Sequence, residues 1–243
     1  MPEIFRIGNL GKSFAGKEVL KNINLGINQG EIFALIGPSG AGKTTFLRIL
    51  NLFEKPTKGT VEFDGTPVNT QREKYRLRQR MSLLFQTPSV FNLSVFDNIA
   101  YGLKVRKIDK KTIAEKVDEA LDIVGLSGMD TQNARTLSGG EAQRMAFARA
   151  VVYDPEVLLL DEPTANLDPA NVAMMEHLIK RIQDERGTTI VIATHNIPQV
   201  RRIADRVGVL LNGELIEVNS KEGIFTVPED KRSAAFLKGE MVY

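Results

Sequence analysis

Three short segments of this chain are almost continuously apolar, and their spacing organises the rest. The stretches 31–36 (EIFALI), 157–160 (VLLL) and 189–193 (TIVIA) lack a regular polar–apolar alternation, so each reads as a strand buried on both faces. Helical patterns fall between and after them. Phe46, Leu47, Leu50 and Phe53 put a helix over 44–53, with Pro56 and Gly59 ending it. A second helix is expected over 170–185 and stops at Gly187, and a third over 200–204. Strands are expected at 207–211 and 214–218 around an Asn212-Gly213 turn, and a strand 81–85 leads to Gln86. Buried strands alternating with helices predict an α/β fold on a mainly parallel sheet.

Two regions break this rhythm. Near the N-terminus, 3–7 and 19–27 read as strands, and Asp64-Gly65 between VEF and TPV marks a hairpin, so an antiparallel β portion comes first. From Asp97 to Tyr153 the signals are helical instead. Ile113, Val117, Leu121 and Val124 share one face, with Gly125 as a natural stop. Ser138 and Glu141 have the spacing of a capping box and open a helix through Met145, Arg149 and Val152.

Composition excludes more than it selects. The 243 residues contain no cysteine, which removes disulfides, thiolate metal sites and cysteine nucleophiles. Thirty-two basic against 30 acidic residues leave a net charge of +2, no global reason to expect nucleic acid. Two local basic runs, 72–80 (REKYRLRQR) and 104–111 (KVRKIDKK), read as solvated faces or as polyanion sites. No apolar run approaches the roughly 20 residues of a membrane span. The N-terminus lacks the pattern of a secretory signal, so the chain is expected to stay inside the cell.

The chemistry begins after the first buried strand. Residues Gly37, Pro38, Ser39, Gly40, Ala41, Gly42, Lys43 and Thr44 match G-x-x-x-x-G-K-[ST] between a strand and a helix, the context of a Walker A phosphate loop. Glycines let successive N–H groups face inward, and the helix N-terminus adds positive potential. Lys43 supplies a mobile charge for the β- and γ-phosphates of ATP, and Thr44 a hydroxyl for Mg²⁺; Thr45 completes the nucleotide-binding set.

The strand VLLL runs into Asp161 and Glu162. Strand C-terminal ends in an open α/β sheet face the ligand crevice. Asp161 is expected in the Mg²⁺ shell, and Glu162 as the group that orients or deprotonates the attacking water. His195, directly after TIVIAT, is expected on the same edge, against the γ-phosphate. His177, the other histidine, reads as an ordinary mid-helix residue. Gln86 offers a side-chain amide that can ligate Mg²⁺ and sense the γ-phosphate.

Residues 137–144 read LSGGEAQR, and Ser138, Gly139 and Gly140 at a helix N-terminus form a second anion site. Together these motifs resemble the ATP-binding cassette (ABC) ATPases over nearly the whole chain and in the family's order. The resemblance implies that the P-loop NTPase fold carries an N-terminal antiparallel β subdomain and an inserted α-helical subdomain, all in one cassette domain over 1–243. The core plus antiparallel part would span about 1–86 and 154–243, and the helical part about 87–153. It also implies adenine stacking on Phe14, a signature ending in Glu141 where glutamine is common, and a D-loop (ANLD) whose Asp168 couples two sites. Two copies are expected to pack head to tail, each ATP held by one copy's phosphate loop and the other's Ser138-Gly139-Gly140.

Within that family, no heptad array separates Lys43 from Asp161, one cassette is present, and fused membrane helices are absent. An importer subunit on the cytoplasmic face of the membrane fits, peripheral to permease subunits and served indirectly by an extracytoplasmic solute-binding protein. The segment after Gln86 (TPSVFNLSVFDNIAYGLKVR) is where such cassettes meet a permease; Val90, Phe91, Leu93, Val95 and Phe96 read as a socket for a partner helix or as ordinary core. The segments YGLKVR, TANLDP, THN and QVRRIADRVGVL resemble oxyanion importers, the tungstate type most closely, with phosphate, molybdate and polar amino acids as alternatives. The chain stops about where the cassette ends, so no regulatory domain is expected. A soluble nucleic-acid-associated ATPase using 72–80 is the contrasting reading. A small-molecule kinase is disfavoured, having no use for the signature at 137–141.

Overall fold

The computed structural model describes residues 2–68 and 70–240. Two sheets form its frame. The first has the order β2-β1-β4-β5, built from β1 (Glu3–Phe14), β2 (Lys17–Asn28), β4 (Lys58–Phe63) and β5 (Thr66–Pro67), all antiparallel. The second has the order β10-β9-β3-β8-β7-β6, built from β3 (Ile32–Ile36), β6 (Met81–Leu84), β7 (Val157–Asp161), β8 (Thr189–Thr194), β9 (Arg206–Leu211) and β10 (Glu214–Ser220). Its pairings are parallel except β9–β10. The antiparallel β portion and mainly parallel sheet expected from the pattern are both present.

The continuous apolar runs have a direct packing explanation. Along β3, Ile32, Ala34 and Ile36 enter one core, while Phe33 and Leu35 enter the other. Strands β7 and β8 split the same way, Leu158, Leu160, Ile190 and Ile192 against Val157, Leu159, Val191 and Ala193. Both faces are covered, so alternation has no solvent side to mark. One face packs on α1 (Lys43–Leu50) and the antiparallel sheet. The other packs on α6 (Pro169–Arg186), α7 (Ile197–Ile203) and the helical segment α3 (Val95–Val105), α4 (Lys110–Ile123) and α5 (Gly139–Val151).

Several boundaries differ from the sequence pattern. Helix α1 ends at Leu50, because Leu52 sits at φ 61, a left-handed turn that stops the helix before Pro56 is reached. Helix α7 begins at Ile197, capped by Asn196, with Pro198 in its first turn, where a missing N–H costs nothing. The basic run 72–80 contains α2 (Gln71–Arg78), opened by a Thr70–Glu73 capping box. Its period was hidden because lysine and arginine occupy inward and outward positions alike. The second basic run spans the end of α3 and the start of α4, and most of it is exposed. Short C-terminal helices α8 (Lys221–Thr226) and α9 (Lys231–Leu237) bury Ile224 and Phe236.

Candidate nucleotide site

The loop from β3 into α1 owes its shape to Gly42, which sits at φ 108. A β-carbon there would lie 2.7 Å from Leu20 Cδ2 and 3.0 Å from the Val19 carbonyl, so only glycine fits. Gly42 also caps α1 without a side-chain hydrogen bond, leaving the first N–H groups of α1 without a side-chain acceptor. The Ala41 carbonyl accepts from Gly213 N at 3.2 Å, so the β9–β10 hairpin braces the loop. Lys43 is 7% exposed. Its Nζ donates to the carbonyls of Gly37 at 2.7 Å and Pro38 at 3.0 Å, and lies 3.5 Å from Glu162 Oε1.

Because β3, β8 and β7 are neighbours in parallel register, the residues leaving their C-terminal ends meet. Thr44 Oγ1 donates to Asp161 Oδ1 at 3.1 Å. Burial holds the Asp161 carboxyl above its usual range, with Thr44 pulling the other way. Glu162 turns back at φ 47, its N–H bonded to the Ala193 carbonyl at 2.8 Å. Its carboxylate accepts from Thr194 Oγ1 at 3.2 Å and from His195 N at 3.3 Å. His195 Nδ1 lies 3.0 Å from Glu162 Oε1, which makes Nδ1 the protonated ring nitrogen, since a carboxylate only accepts. The exposed Nε2 edge is thereby left as an acceptor.

A cavity of ≈ 320 Å³ gathers Val19, Ser39, Gly40, Gly42, Lys43, Thr44, Thr45, Gln86, Glu162 and His195. Gln86 lies two residues beyond β6 and not at the strand end, so it reaches the cavity from a loop. Phe14, 43% exposed, is not part of this lining; Lys12 Nζ sits 4.5 Å from its ring centroid. Val19 and Thr194 went unnoticed in the sequence. Val19 sits in the same hairpin as Phe14, and Thr194 adjoins His195, so adjacency was the available signal. His177 is an exposed residue of α6.

Ser138, Gly139, Gly140 and Glu141 lie apart from this cavity, at the start of α5. Ser138 N and Oγ both donate to Glu141 Oε2, at 2.8 and 2.7 Å, and Glu141 N donates back to Ser138 Oγ at 3.4 Å. These bonds from Ser138 hold the Glu141 carboxyl below the usual glutamate range. Asp168 caps α6 through Ala170 N and Asn171 N, both at 3.0 Å, which lowers its pKa as well. Asn171 ties the two motifs together. Its Nδ2 donates to Asp168 Oδ2 at 2.6 Å, and its Oδ1 accepts from Arg144 Nη1 at 2.5 Å. A β-carbon on Gly140 would come within 2.4 Å of the Asn171 amide, which explains the second signature glycine. Asn171 carried no motif signal in the sequence.

The segment after Gln86 borders a groove of ≈ 460 Å³ lined by Phe53, Arg78, Phe85, Phe91, Tyr101 and Arg149 among others. Val95 is fully buried, and Val90 and Phe96 pack on the core, so these three belong to the interior. Phe91 and Leu93 are exposed at 37% and 43%.

The donor set fits Mg-ATP. The start of α1 has no side-chain cap, Lys43 is a buried cation, and the Thr44 hydroxyl is already bonded to the buried Asp161 carboxyl. Among the described residues no cluster of three or more His, Asp or Glu is placed to hold a metal, as expected if the phosphates and water supply most ligands.

These features define a phosphate-loop ATPase, and comparison with known proteins narrows the class. The ABC transporter family model matches residues 20–165. The chain is 46% identical to the phosphate import ATP-binding protein PstB 2 of Natronomonas pharaonis, over 98% of this chain and 87% of that protein. It is 42% identical to a probable anion import ATP-binding protein of Haloferax volcanii, over 97% of this chain and 86% of the relative. The solved structure of cbiO1 from Clostridium perfringens, part of the ABC transporter complex cbiONQ, matches with a TM-score of 0.88 at 33% identity, covering 97% of this chain and 95% of that one. The chain belongs to the ABC transporter family and is an import-type ATPase. No helix among the described residues is long and apolar enough to cross a membrane.

Proposed function

We propose that this chain powers import of an oxyanion, as one of two copies packed head to tail beneath membrane permease subunits. The observation that carries the catalytic part is the single contact network of Lys43, Glu162 and His195 facing the loop cavity. Lys43 binds the β- and γ-phosphates, exchanging its present carbonyl partners for phosphate oxygens. Glu162 takes the proton of the attacking water, and His195 holds that carboxylate in place while its free edge faces the γ-phosphate. Thr44, Asp161 and Gln86 hold Mg²⁺, which neutralises phosphate charge when bound. Phe14 stacks on adenine. Ser138, Gly139, Gly140 and Glu141 serve the other copy's ATP, and Asp168 couples the two sites. The whole chain acts as one cassette domain with the helical segment inserted.

The groove beside Phe85 and Phe91 is suited to a permease helix, having exposed aromatic walls. Such docking puts the chain on the cytoplasmic face, with a solute-binding protein acting through the permease. For the substrate, the phosphate and anion importers among the relatives support the oxyanion class. Tungstate is supported by the segments YGLKVR and QVRRIADRVGVL, and phosphate by the 46% identical relative.

Glu162→Gln tests the chemistry. It should keep ATP binding, lower turnover by about 10²–10⁴-fold as loss of a general base does, and trap a dimer visible by size exclusion. Turnover at the wild-type rate sinks the assignment. For the substrate, ATPase activity of the reconstituted complex should rise with binding protein loaded with phosphate or tungstate. Stimulation by a loaded amino-acid-binding protein instead would overturn the oxyanion reading.

A further inference from the structure

The basic run 72–80 does not behave as one solvated face. Helix α2 turns Arg72, Tyr75 and Arg76 outward, and Lys74 and Leu77 inward, three residues apart on one stripe. Arg80 is consumed by ion pairs with Glu156 and Asp64 at 2.6 and 2.7 Å. Lys74 is different: it is 8% exposed, and among the described residues its ammonium has no hydrogen-bond or ion-pair partner within 4 Å. A buried, unpaired ammonium is costly unless an anion meets it or it loses its proton.

Lys74 lines a cavity of ≈ 260 Å³ that is separate from the nucleotide site. Its walls are Ile49 and Leu52 at the end of α1, Thr60 on β4, Pro67 on β5, and the loop residue Lys55. Thr60 brings a hydroxyl to the same wall. The carboxylate of the lining, Glu54, is held by Lys12 at 2.9 Å. Burial depresses the Lys74 pKa, and the charges of Lys55 and Arg78 depress it further. Two cations thus border one small cavity, repelling each other, with the nearest carboxylate already paired.

We infer that this cavity is a binding site for a small oxyanion, held between Lys74 and Lys55. An anion there replaces repulsion between the two lysines by two charge-assisted contacts. The size of the cavity suits a free tetrahedral anion and not a polymer. The site is independent of the proposed transport function, and its failure would leave the ATPase reading untouched.

The test is ³¹P NMR and calorimetric titration of inorganic phosphate into the full chain, with sulfate and tungstate as parallel arms. Lys43→Ala removes the phosphate-loop contribution and should retain one saturable site. Adding Lys74→Met or Lys55→Met to Lys43→Ala should weaken that site at least tenfold. Thermal unfolding verifies that the Met variants fold; Met matches the length of the lysine stem. In a second readout, ¹³C-methylated lysines give a resonance that Lys74→Met removes, and phosphate should move its titration to higher pH. Loss of all phosphate binding in Lys43→Ala, affinity unchanged by Lys74→Met, or a Lys74 titration that ignores phosphate would each overturn the inference. Preference among the three anions tells whether a general phosphate pool or a particular oxyanion is the ligand.

Discussion

Two helix N-termini in this molecule carry glycine-rich motifs, and they are finished in opposite ways. Helix α1 begins at Gly42 with no side-chain cap, beside a buried lysine and a carboxylate. Helix α5 begins at Ser138 with a complete capping box, its hydroxyl and N–H both spent on Glu141. An uncapped start retains unsatisfied donors and positive potential, and is ready for an anion from its own chain's cavity. A capped start is stable alone and gains no cavity of its own. The contrast teaches that one motif forms a site by itself, whereas the other is a surface that another copy must complete.

The comparison can be broken most easily at α1. With nucleotide a hundredfold above Kd, wild-type protein should gain about 2.7 kcal/mol of stability. Lys43→Ala should lose most of that gain in a thermal-shift titration, and an undiminished gain would show that the loop is not the binding element. Gly42→Ala comes next. A side chain at φ 108 against Leu20 and Val19 should cost roughly 1–3 kcal/mol in denaturant unfolding. Unchanged stability would mean the loop can relax around a β-carbon.

At α5 the expected effects are smaller and of another kind. Ser138→Ala should cost about 1 kcal/mol through the lost cap, leave nucleotide binding by the single chain intact, and weaken ATP-dependent dimer formation. If it impairs single-chain binding as Lys43→Ala does, the two termini are not separate half-sites. The pH responses should have opposite signs. Glu141 has a depressed folded pKa, so its contribution is full above the ordinary glutamate value of about 4.3 and is lost as pH falls through the folded one. Asp161 has a raised folded pKa, so its ionisation costs stability above that pKa, and the cost vanishes as pH falls below the unfolded value. Melting curves should show Glu141→Ala flattening the acid limb slightly and Asp161→Asn stabilising the nucleotide-free protein at neutral pH. The same sign for both would contradict the burial and capping causes given for them.

Much of this was legible in the chain. The buried strands, the phosphate loop, the Asp64-Gly65 hairpin and the Ser138–Glu141 box all depend on contacts within a few residues, and the structure contains each. The failures were also physical. Helix α2 was hidden because its inward stripe carries Lys74, which no hydrophobic period can reveal. Leu52 ended α1 through a backbone turn that a leucine does not advertise. Phe14 was expected against the nucleotide, yet Val19, five residues on, lines the loop cavity. Val95 looked like part of a docking face but is core, because apolar residues serve either purpose equally well.

The sequence by itself determined the local elements and the chemical kinds of residue at their ends, since glycine turns, caps and strand runs are decided by short-range sterics and solvation. Only the tertiary structure decided which ends meet. Thr44 and Asp161 are 117 positions apart, and they touch because β3, β8 and β7 lie side by side in parallel register. The same holds for Lys43 with Glu162, for Asn171 between Arg144 and Asp168, and for Lys74 against its cavity. Strand order and burial are collective properties of the packed chain, and no local pattern encodes them.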